Sequence, residues 1–175
     1  FVALTQKLGF KPIILPFKPN GKAMHIKGFL ARFSKTAKTQ AEFLNRVAKL
    51  NVPLVGVDSA IVLSYRDEYK EALGDSRGNF HVLTAHEWLT NQLESNALQR
   101  AVKNIAKSDR TFEWHLFPHC AESTFMPNSP KEWQYIFAQF GQTLNVERVG
   151  CCGMAGVFGH EVQNQTMSKD IYDVS

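Results

Sequence analysis

The order strand, loop, helix, strand, helix occurs twice along this chain, and that duplication constrains the fold more than any single motif. In the first pass residues 11–16 (KPIILP) read as a short buried strand, and residues 17–28, punctuated by Pro19, Gly21 and Gly28, read as a loop. A helix opens at Ser34 and runs to Lys49, with Ala37, Ala41, Phe43, Leu44, Val47 and Ala48 recurring near helical spacing. Residues 52–57 (VPLVGV) are a second buried strand. Asp58 or Ser59 caps the next helix, whose apolar stripe is Ile61, Val62, Tyr65, Tyr69 and Leu73 and whose exit is Gly74.

The second pass starts at residues 113–118 (EWHLFP), a strand, followed by a loop and a helix opened by Ser129 and Pro130. Residues 145–150 (NVERVG) are the next strand, and the last helix is expected to begin at Cys151. Between the two passes, residues 75–110 form a connecting region with helices over 85–93 and 97–107. The fold class that follows is α/β, with two tandem strand-loop-helix-strand-helix repeats, over about residues 10–74 and 111–175, and mostly parallel strands.

A chain of 175 residues with 44% hydrophobic content is long enough for one domain with a substantial core. Residues 1–10 read as the last turns of an amphipathic helix closing at Gly9, and residues 171–175 (IYDVS) stop inside an apolar-periodic segment. Both ends therefore read as cut from a longer polypeptide. No apolar run reaches the roughly 18 residues of a membrane span, and no leader pattern is visible.

Residues 1–50 carry ten Lys or Arg against the single acid Glu42, so a basic lobe sits on an otherwise acidic body. Such a lobe suits an anionic substrate, an acidic partner domain or simply a solvated face. Nucleic acid is disfavoured, because these residues are spread through strand, loop and helix without interleaved exposed aromatics.

The three cysteines are too few and too close in sequence for a disulfide framework. Their pattern suits a reducing, cytoplasmic location and a ligand or redox role. Overlaying the two passes sets residues 15–18 (LPFK) against 117–120 (FPHC), and Asp58 and Ser59 against Cys151 and Cys152. All three thiols then lie beyond the C-terminal ends of neighbouring parallel strands, where open α/β sheets gather ligands. Cys120, Cys151 and Cys152 supply three soft ligands for zinc or an iron-sulfur centre, with His119 or His160 as a fourth or supporting contact. Gly153, Gly156 and Gly159 strip one side of the expected helix, which favours close approach of a bulky group at Gly153 and Gly156. An anion-binding alternative combines that helix start with Lys18, Lys22 and Lys27.

Other motifs exclude themselves. The sixth residue after Cys120 is Met126 and not the arginine of a cysteine phosphatase, and CCGMAG lacks the Gly-x-Gly of a dinucleotide fold. The run Arg66, Asp67, Glu68 reads as a solvated helix face with intrahelical pairing.

The strand followed by Cys151, Cys152 and Gly153, with a single cysteine in the partner turn at Cys120, resembles the CCG or cysteine-rich domain of heterodisulfide reductase and of the iron-sulfur subunits of glycolate and lactate oxidases. Taken with LPFKPNGKAMHIKGF (15–29), FLNRVAKLNVPLVGVD (43–58), PLVGVDSAIVLSYRDEY (53–69) and CCGMAGVFGHE (151–161), the whole chain resembles the C-terminal region of large bacterial FAD and iron-sulfur containing D-2-hydroxyacid dehydrogenases, of the D-2-hydroxyglutarate dehydrogenase type. The resemblance implies a redox or metal-binding, electron-transfer module downstream of an N-terminal flavin domain and ferredoxin-like clusters. In the parent, D-2-hydroxyglutarate would be oxidised to 2-oxoglutarate, with FAD bound outside this chain and an electron-acceptor protein or quinone as partner. It leaves two alternatives open, a structural docking domain with vestigial cysteines and a D-lactate or glycolate oxidase-type iron-sulfur component. One departure stands out: the first repeat has Asp58 and Ser59 where a thiol is expected, so only one half is equipped to bind.

Overall fold

The computed structural model describes residues 1–95, 98–105 and 112–174. The ends of the helix expected over 97–107 lie outside that range; its body is present as α7 (Gln99–Ile105). Four short strands form two parallel pairs among the described residues, β1 (Leu54–Gly56) with β2 (Val82–Thr84) and β3 (Glu113–Leu116) with β4 (Thr143–Val146). Each pair is joined by a helical crossover, as parallel strands require. For β1 and β2 the crossover is α4 (Ser59–Arg66) and α5 (Glu68–Leu73); for β3 and β4 it is α8 (Cys120–Phe125) and α9 (Ser129–Gln139). The α/β class with parallel strands therefore holds.

The first repeat begins one strand later than its sequence suggests. Residues 11–16 belong to no sheet, and Ile13, Ile14 and Phe17 are 81%, 78% and 93% exposed. Pro12 and Pro16 remove two backbone donors from any ladder, and Leu15 alone packs against the core. The strand that replaces it, β2, lies in the region read as a helical connection. It is three residues long, too short for any periodicity to register, yet Val82 and Thr84 are buried.

Alternation across β1 and β2 divides the interior in two. Leu54 and Val82 face one core with Phe33, Ala37, Ala41 and Leu44 of α3 (Leu30–Ala48), Val62, Tyr69 and Phe80. Val55 and Leu83 pack against the other, built from Leu8, Trp88, Leu89, Leu93, Leu98, Val102 and Ile136. Burying each large apolar side chain contributes about 1.5–3 kcal/mol, so Tyr69, Phe33 and Phe80 anchor the first core. Tyr69 also donates its hydroxyl to the Asn20 carbonyl at 2.6 Å, which ties the strandless segment to α5.

The helix α6 (Ala85–Glu94) begins immediately after β2 with a reciprocal cap: Thr84 Oγ1 accepts from the Glu87 amide while Glu87 accepts from the Thr84 amide. The equivalent position after β4 has no such start. Residues 151–161, expected to be helical, contain turns and the short 3-10 stretch Phe158–His160, and the last helix, α10 (Gln165–Asp173), begins only after a second one at Val162–Asn164. Gly153 and Gly156 at φ +73° and +71° and Ala155 at +39° adopt left-handed backbone that an α-helix cannot contain.

Candidate functional site

Cys120 is the first residue of α8, four positions beyond the end of β3, and Cys151 lies five positions beyond the end of β4. Because β3 and β4 are parallel neighbours, both thiol-bearing turns leave the same edge of one sheet, as the sequence predicts. The structural overlay differs in detail. Equivalence of β1 with β3 sets Asp58 and Ser59 against His119 and Cys120, and sets the turn that leaves β2 against the turn carrying the cysteine pair.

His119 is the N-cap of α8, and its Nδ1 accepts from the Ala121 amide at 3.2 Å. Asp58 does the same for α4, accepting from the Ile61 amide at 3.0 Å, so the two turns are capped alike with different chemistry. Cys120, Cys151 and Cys152 are all free and exposed. The Cys151 sulfur accepts from the Gly153 amide at 3.4 Å. The helix expected to begin at the pair does not start there.

The glycines are occupied by packing. A side chain at Gly153 would collide with the Ser168 carbonyl of α10, whose hydroxyl donates to the Gly153 carbonyl at 3.0 Å. At Gly156 a Cβ would press on Ile26, at the end of α2 (Lys22–Ile26), at 3.1 Å. Lys27 pairs with Glu161, so the cysteine loop is clamped between α2 and α10. That pairing, with Lys22 on Glu68 and Lys18 stacked 5.0 Å over Phe43, consumes the lysines of the anion-binding alternative.

Among the described residues no group of three or more His, Cys, Asp or Glu side chains is gathered closely enough to hold a metal ion. In this arrangement the thiols do not fit a zinc or iron-sulfur centre, which takes four ligands at bonding distance. His119 already spends one ring nitrogen on its helix.

Beneath the cysteine turn lies a polar network that sequence reasoning missed. Glu122, buried in the first turn of α8, accepts from Ser59 Oγ at 2.5 Å, from Ser129 Oγ and from Trp133 Nε1 at 3.1 Å. Burial alone would raise its pKa; those hydrogen bonds, with His86 3.7 Å away, outweigh it and hold the carboxyl below its usual range. His86, 2% exposed on α6, places Nδ1 2.6 Å from Glu132 of α9. Arg66 belongs to this frame too. It grips Glu87 through both terminal nitrogens and the Val82 carbonyl through Nε and Nη2, a tertiary contact and not the intrahelical pairing expected of it. The signal available in sequence was only a Glu two residues after a Cys, which no motif marks.

The fold and the paired turns define a duplicated α/β module with thiols at one strand edge. Comparison with known proteins makes this specific. Over all 175 residues the chain is 79% identical to a D-2-hydroxyglutarate dehydrogenase of Haemophilus influenzae, 55% identical to one of Escherichia coli and 51% identical to one of Pantoea ananatis. It spans only 16–17% of the length of these relatives, so it is homologous to one segment of them. No family model matches the chain, and no solved structure matches it.

Proposed function

We propose that this chain is the C-terminal CCG-type redox module of a D-2-hydroxyglutarate dehydrogenase, in which Cys120, Cys151 and Cys152 form the working face. The parent reaction removes two electrons and two protons from D-2-hydroxyglutarate to give 2-oxoglutarate, with FAD bound elsewhere in the polypeptide, and the module serves the onward path of the electrons. The observation that carries this reading is the exit of both thiol-bearing turns from one edge of the β3–β4 pair, coupled with 79% identity, over all 175 residues, to a segment of an enzyme bearing that name. A zinc ion or iron-sulfur cluster at these thiols needs the turns to close on each other and further ligands from outside the chain. Thiol chemistry needs neither.

The test uses the full-length protein, purified without oxygen, in three forms: unaltered, Cys120→Ser, and Cys151→Ser with Cys152→Ser. Flavin reduction by D-2-hydroxyglutarate is expected to persist in all three, while turnover with a terminal acceptor falls in the cysteine variants. Iron and zinc analysis with the visible spectrum separates a metal-loaded from a thiol-only site. Unchanged turnover and unchanged metal content in both variants overturns the proposal.

A second reading, a docking module with idle cysteines, is favoured by the exposure of Ile13, Ile14 and Phe17. These side chains suit a surface covered by the rest of the parent. It predicts the unchanged outcome just described.

A further inference from the structure

A pocket of about 630 Å³ is lined by Arg66, Lys70, Arg77 and His81 with Gly74, Gly78 and Phe80, and by none of the cysteines. Arg77 is fixed in place before any ligand arrives: Nε donates to the Tyr65 carbonyl at 2.7 Å, Nη1 donates to the Gly78 carbonyl at 3.0 Å, and the guanidinium lies 4.1 Å from the Phe80 ring centre. Its Nη2 carries no hydrogen bond to the described residues. Arg66 is locked by Glu87 and Val82 and keeps one N–H on Nη1. Lys70 is exposed and makes no ion pair among the described residues. Asp75, the one carboxylate in the lining, is paired with none of these cations.

We propose that this pocket binds a small molecule bearing a carboxylate or phosphate group, held by Arg66, Lys70 and Arg77. Two rigid guanidinium groups with spare donors suit the planar, forked recognition of an oxyanion, and Lys70 adds charge at the rim. The cations also disturb one another. Burial lowers the Arg77 pKa and the Arg66 charge lowers it further, against a partial offset from Asp67. The His81 pKa is likewise lowered, by burial, then Arg66 of α4 and Arg77 of the 3-10 turn, with Glu87 of α6 opposing. A bound oxyanion relieves that repulsion. The site is separate from the thiol face and stands or falls independently of the redox proposal.

Calorimetric titration of the full-length protein at low salt with inorganic phosphate, and separately with glutarate, tests it, each compared with the Arg77→Gln protein so that binding elsewhere in the polypeptide cancels. Saturable binding of at least one probe is expected, and which one binds distinguishes a phosphate from a carboxylate ligand. Lys70→Glu, at an exposed position without an ion pair, is expected to keep the fold and weaken binding about tenfold. Arg77→Gln is expected to abolish binding. The His81 ring resonances should titrate at higher pH in the presence of the bound probe. Absence of saturable heat from both probes, or Lys70→Glu binding as tightly as the unaltered chain, overturns the proposal.

Discussion

Ser59 donates its hydroxyl to the Glu122 carboxylate at 2.5 Å, joining the first residue of α4 to the first turn of α8. These are the helices that follow β1 and β3, the equivalent strands of the two repeats. The serine that opens α4, where α8 opens with Cys120, therefore works as a structural donor to the second repeat.

Removing Glu122 leaves Ser59, Ser129 and Trp133 without their acceptor and His86 facing a single carboxylate. Glu122→Ala is expected to destabilise the chain by about 3 kcal/mol, the scale for breaking a buried charged network. Urea unfolding followed by tryptophan fluorescence measures it. A loss below about 0.5 kcal/mol, the level of an ordinary surface substitution, would show that the network is dispensable.

Acid should loosen the α4–α6 contact. Burial raises the Glu87 pKa, but hydrogen bonds from Arg66 and Thr84 and the Arg66 charge outweigh it and bring the group to about 2. Because the folded value lies below the unfolded one, the stabilisation is complete above the unfolded pKa near 4.5 and is lost as pH falls toward 2. With solvent screening of a partly exposed pair, the loss is of the order of 1–2 kcal/mol. Glu122, also depressed, adds in the same direction. Unfolding free energies measured in steps through that window should decline in the unaltered chain and decline less in Glu87→Gln.

Gly153 is the point at which the cysteine loop lies against α10. Alanine there faces both a left-handed φ and the Ser168 carbonyl, so Gly153→Ala is expected to cost about 2–4 kcal/mol or displace the loop from α10. Gly156→Ala shares the left-handed φ but meets only the movable tip of Ile26, so it should cost less, about 1 kcal/mol. Thermal unfolding orders the two variants, and protease nicking near Val157 reports a released loop.

The α/β class and most helices were legible because periodic apolar residues, as in Ala37, Ala41 and Leu44, name the buried face directly. The shared edge of Cys120 and the cysteine pair was legible too, since parallel neighbours put the residues that follow each strand at the same end of the sheet. Residues 11–16 misled because an apolar run states only that burial would be favourable, and no partner strand comes to meet it. The glycine spacing after Cys151 misled for a related reason: glycine permits left-handed backbone as readily as helix, and contact with Ser168 selected the former.

The sequence by itself determined the local choices, helix stripes, caps and parallel crossovers, because each depends on residues near one another along the chain. Only the tertiary structure decided that Glu122 takes donors from both repeats, that Arg66 reaches Glu87 and that Arg77 and Lys70 line one pocket with it. Those relationships join elements distant in sequence, and charge and hydrogen bonding fix a partner only after packing has brought the groups within reach.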